Sequence, residues 1–184
     1  MYTLFFDGLF RGIPGNITSK NHAGIMCYGW LVFRGKQVVA RGHGAFARGK
    51  DATSNNAEYL ALIEGLDALI DMGLTKERVK ICGDAKCIID QMLGTAEVNA
   101  HSIKPLYYRA RRLAGHFADL NWEWRPRRHN QEADSLTRRA MRQLRLDSPS
   151  YQAAVQAISP GHAETRRLFP LIDLRIYGRA ALEH

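Results

Sequence analysis

Thr53-Ser54-Asn55-Asn56-Ala57-Glu58-Tyr59-Leu60-Ala61-Leu62-Ile63-Glu64-Gly65-Leu66-Asp67-Ala68-Leu69-Ile70 is the stretch at which the chain changes period. Tyr59, Leu62, Ile63, Leu66, Leu69 and Ile70 recur every three to four residues, which predicts a helix, with Thr53, Ser54 and Asn55 as capping candidates and Gly73 as the stop. Everything before it reads as strand. Residues 2–6 form a short apolar run ending at Asp7-Gly8, followed by a loop carrying Gly12, Pro14, Gly15 and Asn16. Residues 24–33 and 37–46 flank the turn Arg34-Gly35-Lys36, a hairpin signal, so three antiparallel strands open the domain.

After the helix, strands and helices alternate. Val79-Lys80-Ile81-Cys82 is a short strand, Asp84 to Leu93 a helix closed by Gly94, and His101 to His116 a further helix. Leu120, Trp122 and Trp124 alternate with Asn121, Glu123 and Arg125 as a half-buried strand, and Asn130 caps a last helix through Ala133, Leu136, Ala140 and Leu144. The order β-β-β-α-β-α-α-β-α predicts an α/β domain. Its mixed five-stranded sheet has three antiparallel strands, then parallel strands joined by right-handed crossovers, with helices on both faces.

The chain has 184 residues, 46% apolar and 24% charged, enough for one ordinary core and too balanced for disorder, collagen or a coiled coil. No run approaches the roughly 18 apolar residues of a membrane span, and Met1-Tyr2-Thr3-Leu4-Phe5-Phe6-Asp7 does not read as a leader, so a cytoplasmic protein with no membrane partner is expected. Cys27, Cys82 and Cys87 are odd in number and form no C-x-x-C pair; they read as buried free thiols. The Asn16-Ile17-Thr18 sequon carries no weight without a secretory signal. Residues 1–146 are expected to form the domain and 147–181 a short C-terminal extension, whose apolar patches, Tyr151 to Ile158 and Leu168 to Ile176, pack as short helices or serve a partner contact. Leu182-Glu183-His184 resembles the remnant of an expression tag.

The formal charge is +8, and its distribution is uneven. Residues 1–100 hold 11 basic and 10 acidic residues, residues 101–145 hold 11 and 4, and the rest hold 4 and 4. The excess therefore falls on one segment, as a polyanion-facing surface would require, although a solvated helix face would carry the same charge.

Four acids stand at element ends: Asp7 at the end of the first strand, Glu58 near the start of the first helix, Asp84 after the fourth strand, and Asp134 one turn into the last helix. Sites in open α/β sheets form at the carboxyl ends of strands, so the four can converge. Clustered carboxylates repel and take up protons unless a cation neutralises them, and hard oxygen ligands suit Mg²⁺ or Mn²⁺. Two such ions about 4 Å apart can activate a water and stabilise the leaving oxygen in phosphodiester cleavage.

Asp7-Gly8-x-x-x-Gly12-x-Pro14-Gly15, Thr53 to Leu62, Gly83-Asp84, and Pro126-Arg127-Arg128-His129-Asn130-x-x-Ala133-Asp134 resemble, in order, the four signature blocks of the type 1 ribonuclease H family. The resemblance covers residues 1 to about 145. It implies a ribonuclease H-like fold and an endonuclease that cleaves the RNA strand of an RNA/DNA hybrid. It also implies Asp7, Glu58, Asp84 and Asp134 as catalytic metal ligands for Mg²⁺ or Mn²⁺, two ions being held once substrate is bound. Gly8 and Asn55 match positions where that family contacts the minor groove of the hybrid, Asn55 recognising 2′-hydroxyls.

The chain departs from that pattern in places. Ser54, Leu9, Phe10, Ile13 and Ala85 replace residues common in the family, and Asn16 to His22 lengthen the first loop. The span from Asp84 to Asp134 is too short for the extra basic helix of some members, which leaves the hybrid to the arginines of 109–112 and 125–128, Arg127 and Arg128 among them. His129 is the candidate for the proton-transfer histidine of some members, against the plainer reading of a loop histidine. His22, His43, His101, His116 and His162 have no ligand partners at suitable spacing, and Trp30, Trp122 and Trp124 read as core rather than base-stacking surfaces. Two other functions compete with a ribonuclease H: a non-catalytic hybrid-binding module on the same fold, and another nuclease of the ribonuclease H-like superfamily.

Overall fold

In the computed structural model, residues 1–13, 23–158 and 167–178 are described. Pro14, Gly15, the sequon, the insertion at 16–22, His22, His162 and residues 182–184 lie outside the described residues. The elements follow the expected order, with additions at the end. They are β1 (Tyr2–Gly12), β2 (Gly24–Arg34), β3 (Gln37–Arg48), α1 (Ser54–Asp71), β4 (Arg78–Gly83), α2 (Lys86–Leu93), α3 (Lys104–Ala114), β5 (Asp119–Trp124), α4 (Gln131–Leu146), α5 (Ser148–Ala157) and β6 (Phe169–Tyr177). Among the described residues, no helix is long and apolar enough to cross a membrane.

The strands form one sheet of order β5-β4-β1-β2-β3-β6. β1, β2 and β3 pair antiparallel, and β4 and β5 join parallel at the other edge. The sheet has six strands, not five. Residues 169–177 add antiparallel to β3, whereas the C-terminal extension is expected to contribute short helices or a partner contact; among its described residues only α5 is helical. Pro170 is tolerated because β6 is an edge strand and the register shifts opposite it, between Ala45 and Phe46.

Two layers of helix bury the sheet. On one face α1, packed against α3, covers Leu4, Phe6, Trp30 and Ile81, and it is buried on nearly all sides because it lies between sheet and helix. On the other face α4 crosses β2, where Cys27, Leu31, Leu136, Ala140 and Leu144 interlock. Gly29 makes that crossing possible: a Cβ there would lie 2.7 Å from the Ala133 carbonyl oxygen and the Leu136 Cβ. Trp30 is core as expected, but Trp124 is 43% exposed, because it is the last residue of the edge strand β5. Cys27 and Cys82 are buried, whereas Cys87 is exposed at the start of α2.

Candidate metal centre

Asp7 does not end its strand. β1 runs five residues beyond it, paired with β2 from Asp7↔Gly29 to Gly12↔Gly24, so the carboxylate stands in mid-strand, one residue past the point where the pairing with β4 ends at Phe6↔Gly83. Asp84 follows β4 directly, and the parallel pairing of Phe6 with Gly83 brings it beside Asp7. Glu58 comes from the first turns of α1, whose start is fixed by Thr53: its Oγ1 accepts from the Asn56 N–H at 3.2 Å.

Three carboxylates converge. One oxygen each from Asp7, Glu58 and Asp84 lies within 4.8 Å of the others, with Asp7 and Glu58 buried. Burial is the largest influence on both buried acids. It raises Asp7 to about 7, with Asp84 and Asp134 adding repulsion and Arg127 and the Thr137 hydroxyl opposing it. It raises Glu58 well above the carboxylate range, helped by Asp7 and Asp84 and opposed by the Gly8 N–H and Arg127. Among the described residues, Glu58 Oε2 is buried without a hydrogen-bond partner. An all-oxygen cluster with raised proton affinity and an unpartnered buried oxygen fits a hard divalent cation, which would replace the proton as counter-charge.

Asp134 stands outside that trio. Its Oδ1 takes Arg127 Nη2 at 2.7 Å and its Oδ2 takes Arg138 Nη2 at 2.8 Å. It still acts on Asp7 through charge. Thr137, one turn later, places its Oγ1 3.3 Å from Asp7 Oδ2 and 2.8 Å from the Asp134 carbonyl oxygen.

Gly8 packs into α1. A Cβ on it would lie 2.2 Å from the Glu58 backbone nitrogen, so the missing side chain allows strand and helix N-terminus to meet. Asn55 is exposed on the first turn of α1, with its Oδ1 3.7 Å from Cys87 Sγ. His129 is exposed in a short 3-10 turn (Arg127–His129); its Nε2 lies 3.1 Å from Arg128 Nε, and among the described residues it bonds none of the four acids. His43 is core, bonded to Gln143 at 2.7 Å, and burial lowers its proton affinity.

Several of the expected phosphate-gripping arginines are engaged within the chain. Arg109 pairs with Asp67, Arg111 donates to the Met92 carbonyl, and Arg125 pairs with Glu123. Besides Thr137, sequence reading missed the role of Asn130. Its position at the head of α4 reads as a cap, but its side chain makes no capping bond; Nδ2 instead donates to the Phe6 carbonyl at 2.8 Å and to Asp84 Oδ1 at 3.3 Å. The sole sequence signal for this was its place four residues before Asp134.

A family model described as reverse transcriptase-like matches residues 23–140. A bifunctional protein of Mycobacterium tuberculosis is 36% identical over 151 residues, 82% of this chain and 37% of that one. The solved N-terminal RNase H domain of that protein superposes with a TM-score of 0.63 at 32% identity, covering 86% of this chain and 98% of the domain. A ribonuclease HI of Halobacterium salinarum is 33% identical over 74% of this chain and 62% of its own length. RNase H1 from the same archaeon is similar as a structure too, with a TM-score of 0.63 and 31% identity over 77% of this chain and 98% of the other. The chain spans little more than a third of the length of the mycobacterial relative.

Proposed function

Since the chain belongs to the type 1 ribonuclease H family, we propose that it is a metal-dependent endonuclease that hydrolyses the RNA strand of RNA/DNA hybrids. The observation that carries this is the convergence of Asp7, Glu58 and Asp84 within 4.8 Å, in a chain similar to the ribonuclease HI of Halobacterium salinarum. These three would hold Mg²⁺ or Mn²⁺, with Asp134 completing the set for two ions once substrate is bound. Bound there, divalent cations supply the activation of a water and the stabilisation of the leaving oxygen.

The chain's own residues set the conditions. The N–H of Gly8 and the hydroxyl of Thr137 hold the carboxylates of Glu58 and Asp7 while Arg127 offsets their mutual repulsion. Asn130 fixes Asp84 against the backbone of β1. Asn55, exposed on the same helix end as Glu58, would meet the 2′-hydroxyls that separate RNA from DNA, with Arg127 and Arg128 on the phosphates and His129 moving a proton at the leaving oxygen.

Cleavage of a labelled RNA/DNA hybrid with Mg²⁺ or Mn²⁺, beside double-stranded DNA and RNA, tests the reading. Cleavage confined to the RNA of the hybrid is expected, and Asp84→Asn should abolish it while leaving binding largely intact. Tight binding with no cleavage would leave a non-catalytic binding module.

A further inference from the structure

Helix α4 covers the second face of the sheet only in part. Over the start of β1, at Thr3 and Phe5, and over Lys80 of β4, a groove of about 610 Å³ lies between the face and the N-terminus of α4. The sheet registers explain its floor: Phe33 pairs with Thr3 and Thr3 with Lys80, which sets the three side by side across β2, β1 and β4. Phe5 completes the floor, edge-on to Phe33 with ring centroids 5.6 Å apart.

The rim is cationic. Lys36, Lys80, Arg125 and Arg128 line the groove against one acid, Glu132. Lys80 and Arg125 share Glu123 as a partner, so part of their charge is already met. Lys36 and Arg128, in contrast, have no carboxylate partner among the described residues. Two aromatic rings beneath a surplus of positive charge suit a ligand that carries flat apolar rings and negative charge in the same repeating unit. An acidic peptide would use the rim and leave the rings idle.

The groove adjoins the candidate metal centre, with the buried side chain of Asn130 between them. Asn130 lines it, and the Nδ2 of the same side chain lies 3.3 Å from Asp84 Oδ1. A strand leaving the carboxylates reaches the groove over the exposed turn Arg127–His129, of which Arg128 and His129 line it. We propose that this groove binds a single-stranded nucleic-acid segment continuing from the hybrid, its bases against Phe5 and Phe33 and its phosphates on Lys36 and Arg128. This extends the ribonuclease H reading and depends on it only for what lies next door.

The test is fluorescence anisotropy in EDTA, with a short blunt hybrid, the same hybrid bearing a single-stranded overhang at either end, and the single-stranded oligonucleotide alone. One overhang should tighten binding by about tenfold, the scale of one or two stacked bases. Phe33→Ala and Lys36→Glu should each remove most of that gain and leave the blunt hybrid unchanged; Lys36 is in an exposed turn, so its variant folds even if the phenylalanine change loosens the sheet. Equal affinity for blunt and overhanging hybrids would overturn the proposal. So would a gain that survives in both variants, or competition by polyglutamate as effective as by an oligonucleotide. If the blunt hybrid fails to bind, the family reading of the substrate is at fault, and loss of oligonucleotide binding in Lys36→Glu still decides the groove.

Discussion

Asn130 Nδ2 sits between the Phe6 carbonyl oxygen at 2.8 Å and Asp84 Oδ1 at 3.3 Å, so one buried amide joins the middle of β1, the end of β4 and the head of α4. The backbones that carry Asp7, Asp84 and Asp134 are thereby tied to one group. Asn130→Ala should cost about 1–3 kcal/mol, because it leaves the Phe6 carbonyl unsatisfied in a buried place. Urea unfolding measures that loss. Asn130→Asp, similar in shape but carrying a carboxylate beside Asp84, should cost more above neutral pH than below it.

Asp7 gives a pH dependence with a definite sign. Its affinity for a proton in the folded chain, about 7, is above the ordinary 3.8, so between those values the folded state holds a proton that the unfolded state has lost. Stability of the metal-free protein due to this group therefore falls as pH rises from about 4 to about 7, by a few kcal/mol in order of magnitude. His43, whose proton affinity is lowered, opposes this below about 6.5. The clean measurement is thus the difference between the native chain and Asp7→Asn, which should widen in favour of the variant across that window. Millimolar Mg²⁺ should restore the native chain by replacing the proton.

Gly8→Ala should be severe for so small a change. The new methyl would lie 2.2 Å from the Glu58 nitrogen and 2.3 Å from the Ala57 carbonyl carbon, both backbone atoms at a fixed helix start. Overpacking of this kind costs about 1–3 kcal/mol or more, and it displaces Glu58 from the other acids. Thermal unfolding and hybrid cleavage should fall together.

Arg175 fastens the C-terminal strand. Its Nη2 reaches Glu64 Oε2 at 2.7 Å and its Nη1 reaches Asp71 Oδ2 at 3.0 Å, both on α1, while Tyr28 donates to Asp173 at 2.7 Å. Arg175→Ala leaves the nearly buried Glu64 without its partner and should cost about 2–4 kcal/mol, somewhat under the loss for a fully buried pair because Arg175 is partly exposed. Arg175→Ala with Glu64→Gln should recover part of that loss. Hybrid cleavage by the folded fraction should be unchanged, since neither residue approaches the carboxylate trio.

Sequence periodicity carried the fold because apolar residues repeat at the period of the element that buries them. The stripe from Tyr59 to Ile70 could only be a helix, and the runs at 24–33 and 37–46 could only be strands across a turn. Edge effects were hidden. Phe169–Tyr177 alternates weakly because adjacent Leu171 and Ile172 both pack against the same cluster where its register with β3 shifts, and Trp124 has the spacing of a core residue at the end of an edge strand. The length of β1 was hidden as well: beyond Asp7 its regularity comes from pairing with β2 rather than from an apolar pattern.

For the site, the sequence determined which acids exist and on which kind of element each stands, since residue type and local period are properties of the chain itself. It could not say that three of them meet within 4.8 Å while Asp134 lies between Arg127 and Arg138, nor that Asn130 turns from the helix it heads to hold Asp84. Those facts depend on the register of β1 against β4 and on how closely α4 crosses Gly29. Distances between residues far apart in sequence are set by packing, and packing is decided only when the whole sheet is assembled.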